Sequence, residues 1–412
     1  MTLVEKVLIL GAGVYQLPLI AAVQRLGFSA VVVSIPGSYP GLDVADEVIL
    51  VDTRDIGGVC EAARRTHPCA VVTSGTDVAI PALGGVVDAL GLVGVDAETA
   101  QRCSNKILMK ECLTAAGVPV APGDVIGLSS DVLEMAREIG YPVVVKPPDS
   151  SGSRGVVRVD SPEGLAEAVA LARSHTSSEQ LLVERCLLGT EFGAQAFVVG
   201  SEPQAVYLHD DVLHGTGVYT VPVGHTLPCS LSPKSAELAT LVVKEAIMAL
   251  GVVDAAVNVD LMLVGDQFFV LEVACRAGAT CLPELVGLVG GFDVYEELVT
   301  LAVTGFADFR LRGNGRAAAS GHLVFTSAAG VVGQLGFGDP AAASRPAYLE
   351  SVVLDVSPGD EVHGFATGNH RLGHVLVSAS TNAIASAAAT RAAQEVATSI
   401  KVGSAHGLQE SD

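Results

Sequence analysis

Short apolar runs and longer stretches of helical periodicity alternate along the first hundred residues. The runs fall at 7–10, 30–34, 47–51 and 70–73, each bounded by turn-forming or polar residues. Strands alternating with helices predict βαβ units and a parallel sheet. The pattern then changes. An amphipathic helix is expected from about residue 105 to 116 and another over 131–139. A strand follows at 141–148, interrupted by Pro142, Pro147 and Pro148, and then a strand at 156–159. Farther on, 257–263 reads as a strand with a hairpin turn at Gly265-Asp266, and the β-rich run that follows ends near Leu271-Glu272, which sets Asp260 facing Glu272. Strands are expected at 317–326 and 373–379, and an alanine-rich amphipathic helix over 382–401. The class is α/β in the first part and α+β beyond it.

Composition narrows the partners. With 412 residues, half of them hydrophobic, the chain can fill two or three domain cores. The net charge is -21 and the 24 Lys plus Arg form no run, which argues against nucleic acid or an anionic membrane as partner. An anionic ligand then needs locally placed cations. Residues 1–10 enter an apolar strand with no basic leader, and no later stretch supplies a membrane span, so a cytoplasmic protein is expected. The eight cysteines show no CxxC spacing and are expected to be buried free thiols.

Three places carry candidate chemistry. The first turn, Gly11-Ala12-Gly13, resembles half of a dinucleotide fingerprint, but Gln16 stands where a third glycine would be, so a pocket-lining loop or a plain tight turn is the better reading. The segment from Asp149 to Gly155 is rich in Ser and Gly and joins two strands. Such a loop presents backbone N–H groups and hydroxyls to phosphate oxygens, with Lys146 and Arg154 to supply charge; a flexible hairpin is the alternative. The third place is the facing acids Asp260 and Glu272 with Arg276 close behind. Paired carboxylates grip a hard cation and guanidinium neutralises phosphoryl oxygens, unless these are merely solvated strand carboxylates.

Taken in chain order, these segments resemble the ATP-grasp superfamily, in its carboxylate-amine (L-amino acid) ligase branch, related to biotin carboxylase and carbamoyl phosphate synthase. The resemblance rests on Asn105-Lys106, the Lys146 strand with its loop, the stretch from Leu182 to Phe192, Asp260, and Glu272 to Gly278. It implies an ATP-grasp fold: an N-terminal parallel-sheet, Rossmann-like pre-ATP-grasp domain (1–105), an ATP-grasp domain of two subdomains with ATP between them (106–310), and a C-terminal closing region (311–412).

The resemblance also implies roles. Lys106 and Lys146 match phosphate-binding lysines, and Ser151, Gly152, Ser153 and Gly155 the glycine-rich loop. Glu184, Arg185, Cys186 and Leu187 match the adenine-binding hinge, and Glu191 the ribose-binding acid. Asp260 and Glu272 match Mg2+ ligands, with Mn2+ as a substitute ion. Arg276, with Lys146 and Arg154, would serve the reaction, while His225 and Gly278, together with Arg276, would line the substrate. A surface histidine is the plainer reading of His225. One position departs from the pattern: Ala274 stands where the family usually has a metal-binding Asn, which leaves the number of bound ions open. The implied activity is an ADP-forming ligase that activates a carboxylate, expected to be that of an amino acid, as an acyl phosphate and joins it to an amine. A bicarbonate-activating enzyme and a non-catalytic ATP-binding protein are the alternatives. The expected partners are small molecules, with a homodimer as the assembly to consider.

Overall fold

The computed structural model describes residues 4–127, 131–215, 220–335 and 347–403, so the first three residues of the N-terminal run lie outside it. The chain divides into two compact units. One comprises residues 1–208, 231–279 and 294–310, the other 209–230, 280–293 and 311–412.

The first unit opens on a parallel sheet of four strands in the order Glu47–Leu50, Ser29–Ser34, Lys6–Leu10, Ala70–Val72. Its central residues Val7 to Leu10 and Ala30 to Val33 have no exposure at all, because helices cover both faces. That burial explains why these strands read as unbroken apolar runs rather than as alternating ones. The glycine turn after the first strand is closed from within. Gly11 takes a positive φ of 102°, and the Gln16 carboxamide accepts the Gly13 N–H at 2.8 Å while donating to the Ser74 carbonyl. A side chain of the protein thus closes the turn from within, in keeping with the reading of a plain tight turn.

A second sheet, antiparallel, runs in the order Gly123–Ile126, Leu181–Arg185, Val143–Lys146, Val157–Val159. Val143, Val145, Leu181 and Val183 pack against Ala136, Leu165 and Ala168 of its covering helices. With a side-chain period of two, Lys146 and Glu184 fall together on the opposite face. The prolines expected to interrupt the strand lie at its two ends instead, so the ladder itself is intact. The remaining strands of this unit are Gln267–Ala274, Ala255–Val264 and Thr190–Val199, followed by Glu202–Gly215, which leaves the unit after Leu208. Their register sets Asp260 opposite Glu272 on one side and opposite Gly193 on the other.

In the second unit, Thr220–Leu227, Ala318–Val324, Gly373–Ala379 and Ala347–Leu354 are successive antiparallel neighbours. Helix Asn382–Ser399 buries Ala385, Ala388, Ala389, Ala392 and Ala393, a spacing of three and four that makes one narrow apolar stripe. Alanine allows close approach to Ala318, Val324, Val375 and Val377 of the sheet. All eight cysteines are free; four are buried, but Cys69, Cys112, Cys186 and Cys229 are only partly so. Among the described residues no helix is long and apolar enough to cross a membrane.

His374 lies in this unit, 9% exposed, and its Nδ1 has no hydrogen-bond partner. Burial, and then the nearby Arg371 guanidinium, push its pKa down to about 4. An unfolded imidazole titrates near 6.5, so the unfolded chain binds the proton first and stability falls as pH drops through that window. His374→Leu is expected to flatten the pH dependence of urea-unfolding stability between about pH 4 and 6.5, by up to about 3 kcal/mol over the window. An unchanged slope would refute the assignment.

Candidate active site

The first unit gathers three of the chain's seven lysines at two buried or half-buried glutamates. Lys106 is the first residue of helix Lys106–Ala115, whose start is fixed by Asn105. The Asn105 side chain accepts the N–H groups of Ile107 and Leu108. From there the Lys106 ammonium donates to the Ser150 carbonyl at 2.7 Å and to Glu272 Oε1 at 2.8 Å. Its burial alone would lower its pKa, but the charge of Glu272 outweighs this, with Asp77 and Asp260 adding to it, and the pKa rises. The lysine stays charged.

Glu184 takes two lysines at once. Lys146 reaches Oε1 at 2.6 Å and Lys110, one helical turn beyond Lys106, donates to Oε2. Burial of Glu184 pushes its pKa up, yet Lys146 and then Lys110 more than reverse it, so the carboxylate remains ionised. Lys110 is held below the usual lysine range, by burial first and despite Glu184, with Lys146 adding to the depression. Sequence reading missed Lys110; its i,i+4 spacing from Lys106, in a chain so poor in lysine, was the available signal.

The loop after the Lys146 strand uses left-handed backbone at Gly152, Ser153 and Gly155, with φ of 65°, 58° and 74°. Arg154 is exposed and turned back on this loop, donating to the Ser151 carbonyl at 3.0 Å and to Ser151 Oγ at 3.3 Å. It does not join the lysines. In the hinge, the Arg185 and Cys186 N–H groups are taken by the Pro122 and Pro142 carbonyls at 2.8 and 2.9 Å. Leu187 follows them directly, and Glu191 lies on the next strand, on the same face as Gly193, which faces Asp260.

Arg276 is held by the N-terminal part of the same unit. Its Nε and Nη2 donate to Asp77 Oδ1 at 2.7 and 2.6 Å, and the Gly75 N–H donates to the Ala277 carbonyl at 3.0 Å. The Gly278 N–H donates to Gln195 Oε1 at 2.7 Å. Asp77 is a second residue that the sequence did not reveal. The structure therefore brings Lys106, Lys110, Lys146, Glu184, Asp260, Glu272 and Arg276 into one unit. His225 belongs to the other. It is not a surface residue: it is 7% exposed, and its Nδ1 lies 2.6 Å from Asp211 Oδ1, the atom that His209 Nδ1 also meets at 2.9 Å. Burial keeps the His225 pKa low in spite of Asp211.

A row of lysines beside a facing pair of acids is suited to binding a polyphosphate with a divalent cation. Residues 139–284 match the ATP-grasp domain, and residues 324–401 match the L-amino acid ligase C-terminal domain 2. The chain thus has an ATP-grasp fold, with an ATP-grasp domain followed by an L-amino acid ligase C-terminal domain. It is 28% identical over 392 residues to an uncharacterised protein of Sinorhizobium fredii, covering 92% of this chain and 80% of that one. The crystal structure of phosphoribosylglycinamide synthetase from Anaerococcus prevotii superposes with a TM-score of 0.79 at 25% identity, over 97% of this chain and 99% of that chain. The fold is shared too by L-amino acid ligase from Bacillus licheniformis, with a TM-score of 0.77 at 18% identity over 98% and 100% of the two chains.

The buried triad has a testable cost. Removing one partner of a buried ion pair typically destabilises by about 3 to 5 kcal/mol, because a charge is left uncompensated. Glu184→Gln leaves two lysines facing each other and is expected to fall in that range by urea unfolding. Lys110→Met, which leaves the Lys146–Glu184 pair whole, should cost distinctly less. Equal losses for the two variants would contradict the arrangement.

Proposed function

We propose that the protein is an ADP-forming ligase that activates the carboxylate of an amino acid as an acyl phosphate and joins it to an amine. The observation that carries this reading is the convergence in one unit of Lys106 and Lys146 with the facing acids Asp260 and Glu272. The match of residues 324–401 to an L-amino acid ligase domain supports the choice of an amino acid.

In this reading ATP lies against the face that carries Lys146 and Glu184. Lys106 and Lys146 bind the phosphates, and on arrival of the polyphosphate the buried lysines exchange part of their contact with glutamate for phosphoryl oxygen. Glu184 and the Leu187 N–H meet the adenine, since the two preceding N–H groups are committed to prolyl carbonyls. Glu191 holds the ribose. Residues Ser151 to Gly155 fold over the phosphates, and their left-handed positions leave N–H groups to line the anion. Arg154 joins them on closure.

Asp260 and Glu272 suit Mg2+ because they are hard oxygen donors on facing strand positions. When bound, Mg2+ neutralises charge on the phosphate oxygens; Mn2+ would fit the same donors. Arg276, held by Asp77, faces the transferring phosphoryl group and the activated carboxylate, so its charge acts where charge develops. Gly278 lines the same place. Loop closure keeps water from the acyl phosphate. The amine then displaces phosphate.

Products decide the reaction class. With ATP, Mg2+ and pairs of amino acids, the enzyme should release ADP and orthophosphate in step with ligated product. AMP with pyrophosphate would refute the acyl-phosphate route, and incorporation of labelled bicarbonate would redirect it to a carboxylase. Arg276→Ala should lower kcat with little change in ATP affinity, costing about 3 to 4 kcal/mol in the barrier.

Binding can be read separately. ATP with Mg2+ should raise the melting temperature of the wild-type protein. Glu272→Gln should abolish turnover while costing some stability through the loss of its pair with Lys106, and near-normal activity of this variant at saturating Mg2+ would remove the metal role.

A further inference from the structure

The departure at Ala274 has a structural counterpart on the neighbouring strand. In the register of the hairpin, Asn258 is the residue directly opposite Ala274, just as Asp260 is opposite Glu272. Residues paired across antiparallel strands project to the same face, with Cβ atoms about 4.5 to 5.5 Å apart. A side chain at 258 therefore reaches the space that one at 274 would reach. The Asn258 carboxamide is turned toward the acid pair: its Nδ2 donates to Asp260 Oδ1 at 3.0 Å.

Among the described residues, the other strand positions directly facing Asp260, Glu272 and Asn258 offer no free side-chain oxygen. Gly193, facing Asp260 from the third strand, has no side chain, and Ala274 offers only a methyl group. Gln195, facing Asn258, is fully buried and committed, its Nε2 to the carbonyls of Ala196 and Val257 and its Oε1 to the Gly278 N–H. We propose that the Asn258 side-chain oxygen is a third protein ligand of the divalent cation held by Asp260 and Glu272. The inference rests on the metal role proposed for those two acids. Its chemistry is consistent with a hard cation: two carboxylates balance the double charge, and a neutral carboxamide oxygen adds a donor without adding repulsion. With Nδ2 spent on Asp260, the amide plane is fixed and the oxygen is the atom left to coordinate.

The test is a titration of the full-length protein with Mn2+ in the presence of ADP, followed by electron paramagnetic resonance of the free ion. Asn258→Ala should weaken Mn2+ binding by at least about tenfold, since even outer partners of a metal site cost on the order of 10- to 100-fold. The double variant Asn258→Ala with Ala274→Asn moves the carboxamide to the facing strand and should recover most of the affinity. Asn258→Asp, which keeps an oxygen in place, should bind at least as tightly as wild type and serves if the alanine variant fails to fold. Equal Mn2+ affinity of wild type and Asn258→Ala overturns the proposal while leaving the two acids as ligands. Failure of the wild-type protein itself to bind Mn2+ with ADP overturns the metal role of Asp260 and Glu272, and this proposal with it.

Discussion

Lysine held by buried or half-buried glutamate is the constraint on which the candidate site depends. In a chain of net charge -21, Lys106, Lys110 and Lys146 are drawn together on Glu184 and Glu272 instead of being spread over the surface. An ammonium group loses its hydration on burial and survives only beside a carboxylate. The glutamates therefore do two things at once. They hold the lysines in place, and they leave them on faces where a polyanion can compete for them. A general negative charge does not prevent anion binding when the few cations are placed this way, and it discourages unspecific association with nucleic acid.

Strand period makes this placement possible. In the antiparallel sheet, Val143, Val145, Leu181 and Val183 are spent on the core, so Lys146 and Glu184 emerge on the other face. In the hairpin, the same rule lines up Asn258, Asp260, Glu272 and Ala274. A slip of one residue would bury the acids and expose the valines between them, Val259 and Val273, both with no exposure in the fold. The core thus enforces the register, and the register sets the site.

Much of this was legible in the sequence, for a physical reason: strands and turns are local. The parallel strands, the hairpin at Gly265-Asp266 and the facing of Asp260 with Glu272 follow from period and turn chemistry, and the structure has them. Contacts between distant segments were not legible. Nothing local tells that Lys110 closes on Glu184, 74 residues away, or that Asp77 receives Arg276, 199 residues away. The burial of His225 depended likewise on Asp211 across the strand pair and on the covering structure, which no pattern around Gly224-His225-Thr226 records. That Arg154 bonds to Ser151 of its own loop was not legible either, because a short loop lets a long side chain turn back on its backbone.

The parallel sheet gains a different meaning from these contacts. Its glycine turn looks built for a phosphate, but the turn is filled by Gln16, whose carboxamide ties Gly13 to the Ser74 carbonyl. Ser74 Oγ in turn donates to the Tyr15 carbonyl at 2.7 Å, and residue 74 forms an isolated parallel bridge with Ala277. Three residues on, Asp77 grips Arg276. The turn, the loop 74–77 and the end of the Glu272 strand are therefore one hydrogen-bonded assembly. Gln16 acts within it as a brace, since removing its amide would leave the Gly13 N–H without its acceptor and loosen the loop that carries Asp77. A sheet whose form suggests nucleotide binding is thereby committed to holding a guanidinium in place, which is a demand on rigidity rather than on affinity.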